Sequence, residues 1–493
     1  MAVILGIDIG TGSLKGMLLD TEKGVLAVRA KEYGVDFPRP GFAEQDPRVW
    51  WSAFLEVLGT LRNLLRRERP GAEIAAVGLS GQMHGLVLAD ENGEAVRPAI
   101  LWLDQRSKKQ LAAIGQRMSE TEMGEIFCNR VSCGFAFPSL LWVRENEPET
   151  LEKAAVLLCP KDYLRGKLTG KAGAEAVDAS STCLFDTVKR DWAYGIIDRF
   201  GLPRRLFPPV GESMDVAGFV SPACARETGL PEGIPVVYGS GDQPAQSVGN
   251  GVFEEGRLIC NLGTGGQISA FIREPRYDRR LRTNTFCHAA GGYTLFGATL
   301  CGGQSMRWAK NDVFHMESYA LADREASAVP AGSDGVIYLP YLSGERTPHM
   351  NADAKGMFFG LELRHGRGHF LRAVMEGVAY SLLDCLTLMR ELGADAPEII
   401  ASGGGAASKV WLQIQADVLQ KPVRACTVKE QACLGACLLA AVGTGLLESL
   451  TEGRRRFVTM DEEIYEPIPA NRAVYDERYG TFRELYRRTR ELM

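Results

Sequence analysis

Short apolar runs ending in glycine turns recur along the chain, separated by amphipathic stretches of helical period. Val3 to Ile9 is apolar except for Asp8 and runs into Gly10-Thr11-Gly12-Ser13. A second strand, Leu14 to Asp20, and a third, Val25 to Ala30, follow across the turn Thr21-Glu22-Lys23-Gly24. Asp46-Pro47 is a helix start, and Trp51, Phe54, Leu55, Leu58, Leu61 and Leu65 then fall at helical spacing. Ile74 to Leu79 is a strand stopping at Ser80-Gly81-Gln82-Met83-His84-Gly85; Leu86 to Leu88 resumes strand character before a tight turn at Asn92-Gly93. Lys161 to Gly170 reads as a short helix. Ile234 to Tyr238 is a strand that meets Gly239-Ser240-Gly241-Asp242, with a helix over Pro244 to Gly249.

The second half repeats the first. Leu258 to Leu262, then Gly263-Thr264-Gly265, then a returning strand copy the opening hairpin, and Tyr293 to Ala298 supplies the third strand. Gly10-Thr11-Gly12 matches Gly263-Thr264-Gly265, which sets Asp8 opposite Asn261. Ile399 to Ala401 runs into Gly403-Gly404-Gly405, followed by a helix over Lys409 to Leu419, and an amphipathic helix with Phe482, Leu485 and Tyr486 closes the chain. The pattern predicts an α/β protein made of a duplicated domain with a cleft between the copies. At 493 residues the chain exceeds one ordinary core, and the repeat divides it at 1–245 and 246–493.

Composition narrows the class. A net charge of −5 argues against nucleic-acid binding. The N-terminus lacks the basic region of a signal peptide. The longest uncharged stretch, Ala432 to Leu447, holds three glycines, is too short for a membrane span and reads as a buried helix. Twelve cysteines without a Cys-x-x-Cys pair suggest a reducing, cytoplasmic setting.

The candidate chemistry lies at the strand ends. A lone carboxylate such as Asp8 is costly to desolvate unless a cation, a donor or a ligand meets it. The small residues after it expose backbone N–H groups and two hydroxyls that can approach phosphate oxygens. The site therefore reads as carboxylate, metal and phosphate. A strand rather than a helix follows the turn, which rules out a dinucleotide loop, and no Gly-x-x-x-x-Gly-Lys-Ser/Thr run exists. Asp242 is a second strand-end carboxylate, and it equally suits the N-cap of the helix after it. His84 offers a polar tip at another strand end, where α/β sheets bind ligands. Phosphoryl transfer needs phosphate donors, a metal carboxylate and a base, and these motifs supply all three.

In order, Gly6-Ile7-Asp8-Ile9-Gly10-Thr11, Glu44-Gln45-Asp46-Pro47 with Trp50-Trp51, Gly81-Gln82-Met83-His84-Gly85, Ile100-Leu101-Trp102, Pro160-Lys161-Asp162-Tyr163-Leu164, Gly241-Asp242-Gln243, Leu339 to Pro348 and Gly403-Gly404-Gly405-Ala406 resemble the FGGY family of carbohydrate kinases over nearly the whole chain. Within it they are most similar to xylulose kinases. The resemblance implies the duplicated actin-like, ribonuclease H-like fold of the hexokinase–Hsp70–actin superfamily, with the sugar on the first domain and the nucleotide on the second. It implies ATP-dependent phosphorylation of D-xylulose to D-xylulose 5-phosphate with Asp242 as general base. Asp8 and Asp242 would hold Mg²⁺. Met83, His84, Trp102, Asp242 and Gln243 would line the sugar. Gly10, Thr11, Gly12, Ser13, Gly263, Thr264, Gly303, Gly404 and Ser408 would border the nucleotide. Partners implied are the sugar and ATP, with neither nucleic acid nor membrane, and the family includes homodimers. Leu103 and Gln243 vary from common xylulose kinase patterns. This keeps ribulose, fuculose, gluconate and glycerol as alternative substrates. An actin- or chaperone-like ATPase is the reading from another class.

Overall fold

The structure, a computed structural model, describes residues 2–493. Its first strands are β1 (Val3–Ile9), β2 (Ser13–Asp20) and β3 (Gly24–Glu32), paired antiparallel as two successive hairpins. Helix α1 (Pro47–Glu68) starts where Asp46 Oδ1 accepts the Arg48 N–H, an N-cap with proline at the first helical position. Its buried face is Trp50, Ala53, Phe54, Val57, Leu58, Leu61 and Leu65. Trp50 rather than Trp51 thus fills the core; the Trp51 indole stays partly exposed and donates to Glu227. Strand β4 (Ile74–Gly81) adds parallel to β1, and β5 (Val216–Phe219), β6 (Pro235–Val237) and β7 (Ser240–Gly241) complete a sheet of order β5-β6-β4-β1-β2-β3, with β7 also on β4. Between β4 and β5 lie α2 (Pro160–Thr169), which ends at left-handed Gly170, and the short α3 (Ala176–Ser181).

Helix α4 (Asp242–Gly249) leads to the second sheet, made of β8 (Arg257–Leu262), β9 (Gly266–Ile272), β10 (Asn284–Cys287), β11 (Tyr293–Thr299), β12 (Glu398–Ser402), β13 (Val423–Cys426) and β14 (Met460–Tyr465). Its order is β10-β11-β9-β8-β12-β13-β14. Apart from the added β10, its pairings repeat those of the first sheet: two antiparallel steps, two parallel steps and an antiparallel edge. The repeat holds at single residues. Asp8 stands beside Ser80 and across from Lys15; Asn261 stands beside Ser402 and across from Gln267. This is the two-domain actin-like architecture that the duplicated hairpins imply.

The helices of the second half are α5 (Gly303–Trp308), α6 (Arg367–Glu391), α7 (Lys409–Leu419), α8 (Gln431–Gly443) and α9 (Arg472–Thr489). The apolar α8 leaves its own sheet and packs on the first one, with Cys433, Cys437 and Ala440 in one cluster with Ile4 and Ala76. A Cβ on Gly78 of β4 would run into the Ala436 carbonyl oxygen, and one on Gly435 into that of Ala245 in α4. Backbone approach this close admits only glycine. Among the described residues no helix is long and apolar enough to cross a membrane.

Candidate functional site

The first hairpin turn is held from behind. Gly10 N–H donates to Ser13 O (2.9 Å), the Tyr33 hydroxyl donates to Gly10 O (2.7 Å), and Tyr33 N–H donates to Gly12 O (3.0 Å). Gly12 stays exposed, with Thr11 and Ser13 part-exposed beside it. Asp8 accepts the Ser80 hydroxyl at 2.8 Å. Burial pushes its carboxyl above the usual range, opposed by Ser80 and Lys15. Lys15 in turn pairs with Glu430 of the second half at 2.7 Å.

Asp242 arrives by another route. Strand β7 pairs with the end of β4, Ser240 beside Ser80 and Gly241 beside Gly81, and the chain turns straight into α4. The helix therefore starts at Asp242, two residues earlier than its pattern predicts. The N-cap is Gly241, and the Asp242 carboxylate accepts the adjacent Gln243 N–H at 2.7 Å. The N-cap role is thus taken by another residue. Burial first, then the negative charge of Asp8, push its pKa to about 7. Asp8 and Ser240 flank Ser80 on either side of β4, which brings Asp242 within reach of the Asp8 charge.

Met83 and His84 follow closely on the end of β4, an interior strand of the first sheet. Met83 is buried, and its thioether lies against Gly241. His84 has φ 71°, its N–H donates to Ser181 Oγ (3.1 Å), and its ring lies on Phe135 with centroids 4.0 Å apart. Burial pushes its pKa down to about 4, against the Ser181 bond and with the Arg346 charge. The ring is neutral at pH 7. Its Nδ1 sits 2.8 Å from Ser181 O, which can only accept, so Nδ1 carries the proton and Nε2 is left an acceptor. Gln243 is exposed and accepts Gln267 Nε2 at 3.4 Å, across the seam between the halves. The Trp102 indole donates to Thr11 Oγ1 at 2.9 Å.

On the second half, Gly263 and Thr264 are exposed at the β8–β9 turn. Gly303 N–H donates to Gly263 O (2.9 Å) and Gln304 N–H to Thr264 O (3.0 Å), which pins this turn to the start of α5. Gly404 is exposed after β12, beside Gly403 at φ 78°. Ser408 is nearly buried; its hydroxyl caps α7 by accepting Trp411 N–H (3.2 Å) and also bonds Asp323.

Sequence reasoning missed the support beneath these loops. Lys161 is fully buried and meets Asp162 (2.6 Å), Asp178 (3.2 Å) and Glu175 (3.7 Å), and its ammonium donates to Tyr238 O (3.2 Å). Burial alone would lower its pKa, but the three carboxylates raise it. Cys159, Asp162 and Asp178 bring metal-ligating atoms together, yet the ammonium already holds that position. The charge in Lys161-Asp162 was the available signal, inside a stretch that otherwise reads as an ordinary helix.

Two sheets of repeated pairing, each with a glycine turn after its first strand, match a family whose models cover most of the chain. Residues 3–249 match the N-terminal domain of the FGGY family of carbohydrate kinases, and residues 258–444 its C-terminal domain. The chain belongs to the FGGY family of carbohydrate kinases. This carbohydrate kinase is 34% identical over 493 residues to the xylulose kinase of Bacillus subtilis (strain 168), covering 100% of this chain and 98% of that one. The solved structure of the xylulose kinase from Rhodospirillum rubrum superposes with a TM-score of 0.93 at 28% identity, covering 99% of both chains. The gluconokinase of Bacillus subtilis (strain 168) matches at 28% identity over 90% of this chain and 88% of its own. As a family kinase the enzyme takes a sugar and ATP as its substrates.

Proposed function

We propose that this carbohydrate kinase transfers the γ-phosphoryl group of ATP in line to D-xylulose, giving D-xylulose 5-phosphate, with Asp242 as general base. The observation that carries the mechanism is the Asp242 carboxyl held near pKa 7 beside Asp8. A base is most effective when its pKa lies near the working pH. Asp242 takes the proton of the attacking sugar hydroxyl. His84 Nε2 accepts from a second hydroxyl, Met83 packs on the carbon chain, Trp102 walls the site, and Gln243 orients the sugar. The first-turn residues Gly10, Thr11, Gly12 and Ser13 hold phosphate from one side; Gly263, Thr264, Gly303, Gly404 and Ser408 border the nucleotide from the other. Closure of the halves excludes water, which would otherwise accept the phosphoryl group.

Two nearby carboxylates, one only partly neutralised by Ser80 and Lys15, form the hard oxygen set that Mg²⁺ takes. Asp8 with Asp242 would hold the ion, which when bound neutralises phosphate charge. The substrate assignment leans on the full-length similarity to xylulose kinases. A second reading, phosphorylation of gluconate, is favoured by the gluconokinase match; ribulose, fuculose and glycerol remain in the same comparison. Leu103, one of the two departures from common patterns, packs against the first-half core. Membership of a sugar kinase family favours either reading over an actin- or chaperone-like ATPase.

A coupled ADP-release assay over xylulose, ribulose, fuculose, gluconate and glycerol decides the substrate. Xylulose is expected to give the highest kcat/KM, and a clear winner among the others would retire it. Asp242→Ala is expected to lower kcat by about 10²–10⁴; near-wild-type turnover would sink the base assignment.

A further inference from the structure

The hydroxyl of Thr11 points away from the role its turn suggests. It accepts the Trp102 indole N–H at 2.9 Å and donates to Gln82 Oε1 at 3.1 Å. Gln82 is buried, and its Nε2 donates to Gln45 Oε1 at 3.0 Å. Gln45 is buried too; the same oxygen accepts the Trp50 indole N–H at 3.1 Å. Gln45 Nε2 donates to Thr11 O (2.7 Å) and Gly34 O (2.9 Å).

The polarity of this network has one solution. Indole N–H groups only donate and carbonyl oxygens only accept. Two carbonyls therefore fix Gln45 with its nitrogen toward Thr11 and Gly34 and its oxygen toward Trp50. That oxygen requires a donor from Gln82, which turns the Gln82 oxygen toward Thr11. The Thr11 hydroxyl must then spend its single proton on Gln82 and offer a lone pair to Trp102. Fully satisfied networks of this kind rigidify what they hold. What they hold is an indole left 40% exposed at one end and, at the other, the residue directly before Met83-His84.

We propose that Thr11 is a positioning residue for the sugar: its hydroxyl, set by Gln82 and Gln45, fixes the Trp102 indole as a wall of the site, while the backbone of the turn serves phosphate. This rests on the reading that the sugar binds along Met83-His84.

The test is a mutant cycle on steady-state kinetics. Thr11→Val keeps the shape and removes the hydroxyl; Thr11→Ser keeps the hydroxyl. Thr11→Val is expected to raise the sugar KM roughly three- to tenfold, the range for one lost hydrogen bond, and to raise it more than the ATP KM. Thr11→Ser is expected to restore the sugar KM to within about twofold. In a Trp102→Phe background, Thr11→Val is expected to add no further rise, because its effect runs through the indole. Gln82→Glu, which loses the amide donor, is expected to raise the sugar KM in the same background-dependent way. An equal rise with and without Trp102, or an unchanged sugar KM, overturns the proposal. The cycle uses whichever sugar the wild type turns over, so a wild type inactive on xylulose overturns the substrate and leaves this test standing.

Discussion

At the scale of single residues, Asp242 shows what a site costs. Its carboxyl titrates near 7 in the folded protein against about 3.9 in an unfolded chain. Between those values the folded state binds more protons than the unfolded one, so Asp242 makes stability fall as pH rises from about 4 to 7. Asp242→Asn is therefore expected to melt higher than the wild type at pH 8 and to match it near pH 4, while its kcat is expected to fall as for Asp242→Ala. Thermal unfolding at the two pH values checks this; equal melting at pH 8 would contradict the raised carboxyl. The same titration predicts that kcat/KM for the sugar falls toward acid with an apparent pKa near 7. His84 makes the complementary point. Its position at a strand end was legible from the glycines around it, but its tautomer depends on the Ser181 carbonyl, 97 residues away in the chain.

At the scale of elements, the apolar stretch within Ala432 to Leu447 reads correctly as a buried helix, but nothing in it says which sheet it covers. Helical period reports that a face is apolar; it does not report the partner. The glycines Gly78 and Gly435 mark the answer, since each meets a backbone carbonyl of a neighbouring element. Gly435→Ala separates the two effects. Helix propensity favours alanine by about 1 kcal/mol, whereas overpacking against Ala245 O costs about 1–3 kcal/mol. The substitution is expected to lower the urea midpoint, and an increase would show that α4 and α8 separate freely. The start of α4 carries a similar lesson. Pro244 suggested the helix boundary, but pairing of Ser240 and Gly241 with β4 brings the chain into the helix at Asp242.

At the scale of the whole molecule, the two halves are interleaved rather than merely joined. Helix α8 comes from the second half and covers β1 and β4 of the first, and Lys15 pairs with Glu430 across the same boundary. A fragment of residues 1–245 would expose the face formed by Ile4, Met17 and Ala76. It is expected to be insoluble or unfolded alone and to gain solubility when co-expressed with 246–493; a cooperative, soluble 1–245 fragment would count against this coupling.

The sequence alone determined the repeated hairpins, the alternation of strands and helices, the family and the residues at the strand ends, because period, glycine turns and motif order are local properties of a chain. Only the tertiary structure brought Asp242 beside Asp8, buried Lys161 among three carboxylates and turned the Thr11 hydroxyl toward Trp102. Each of these depends on residues tens to hundreds of positions apart, and burial and charge act through space, where one sequence carries no distance.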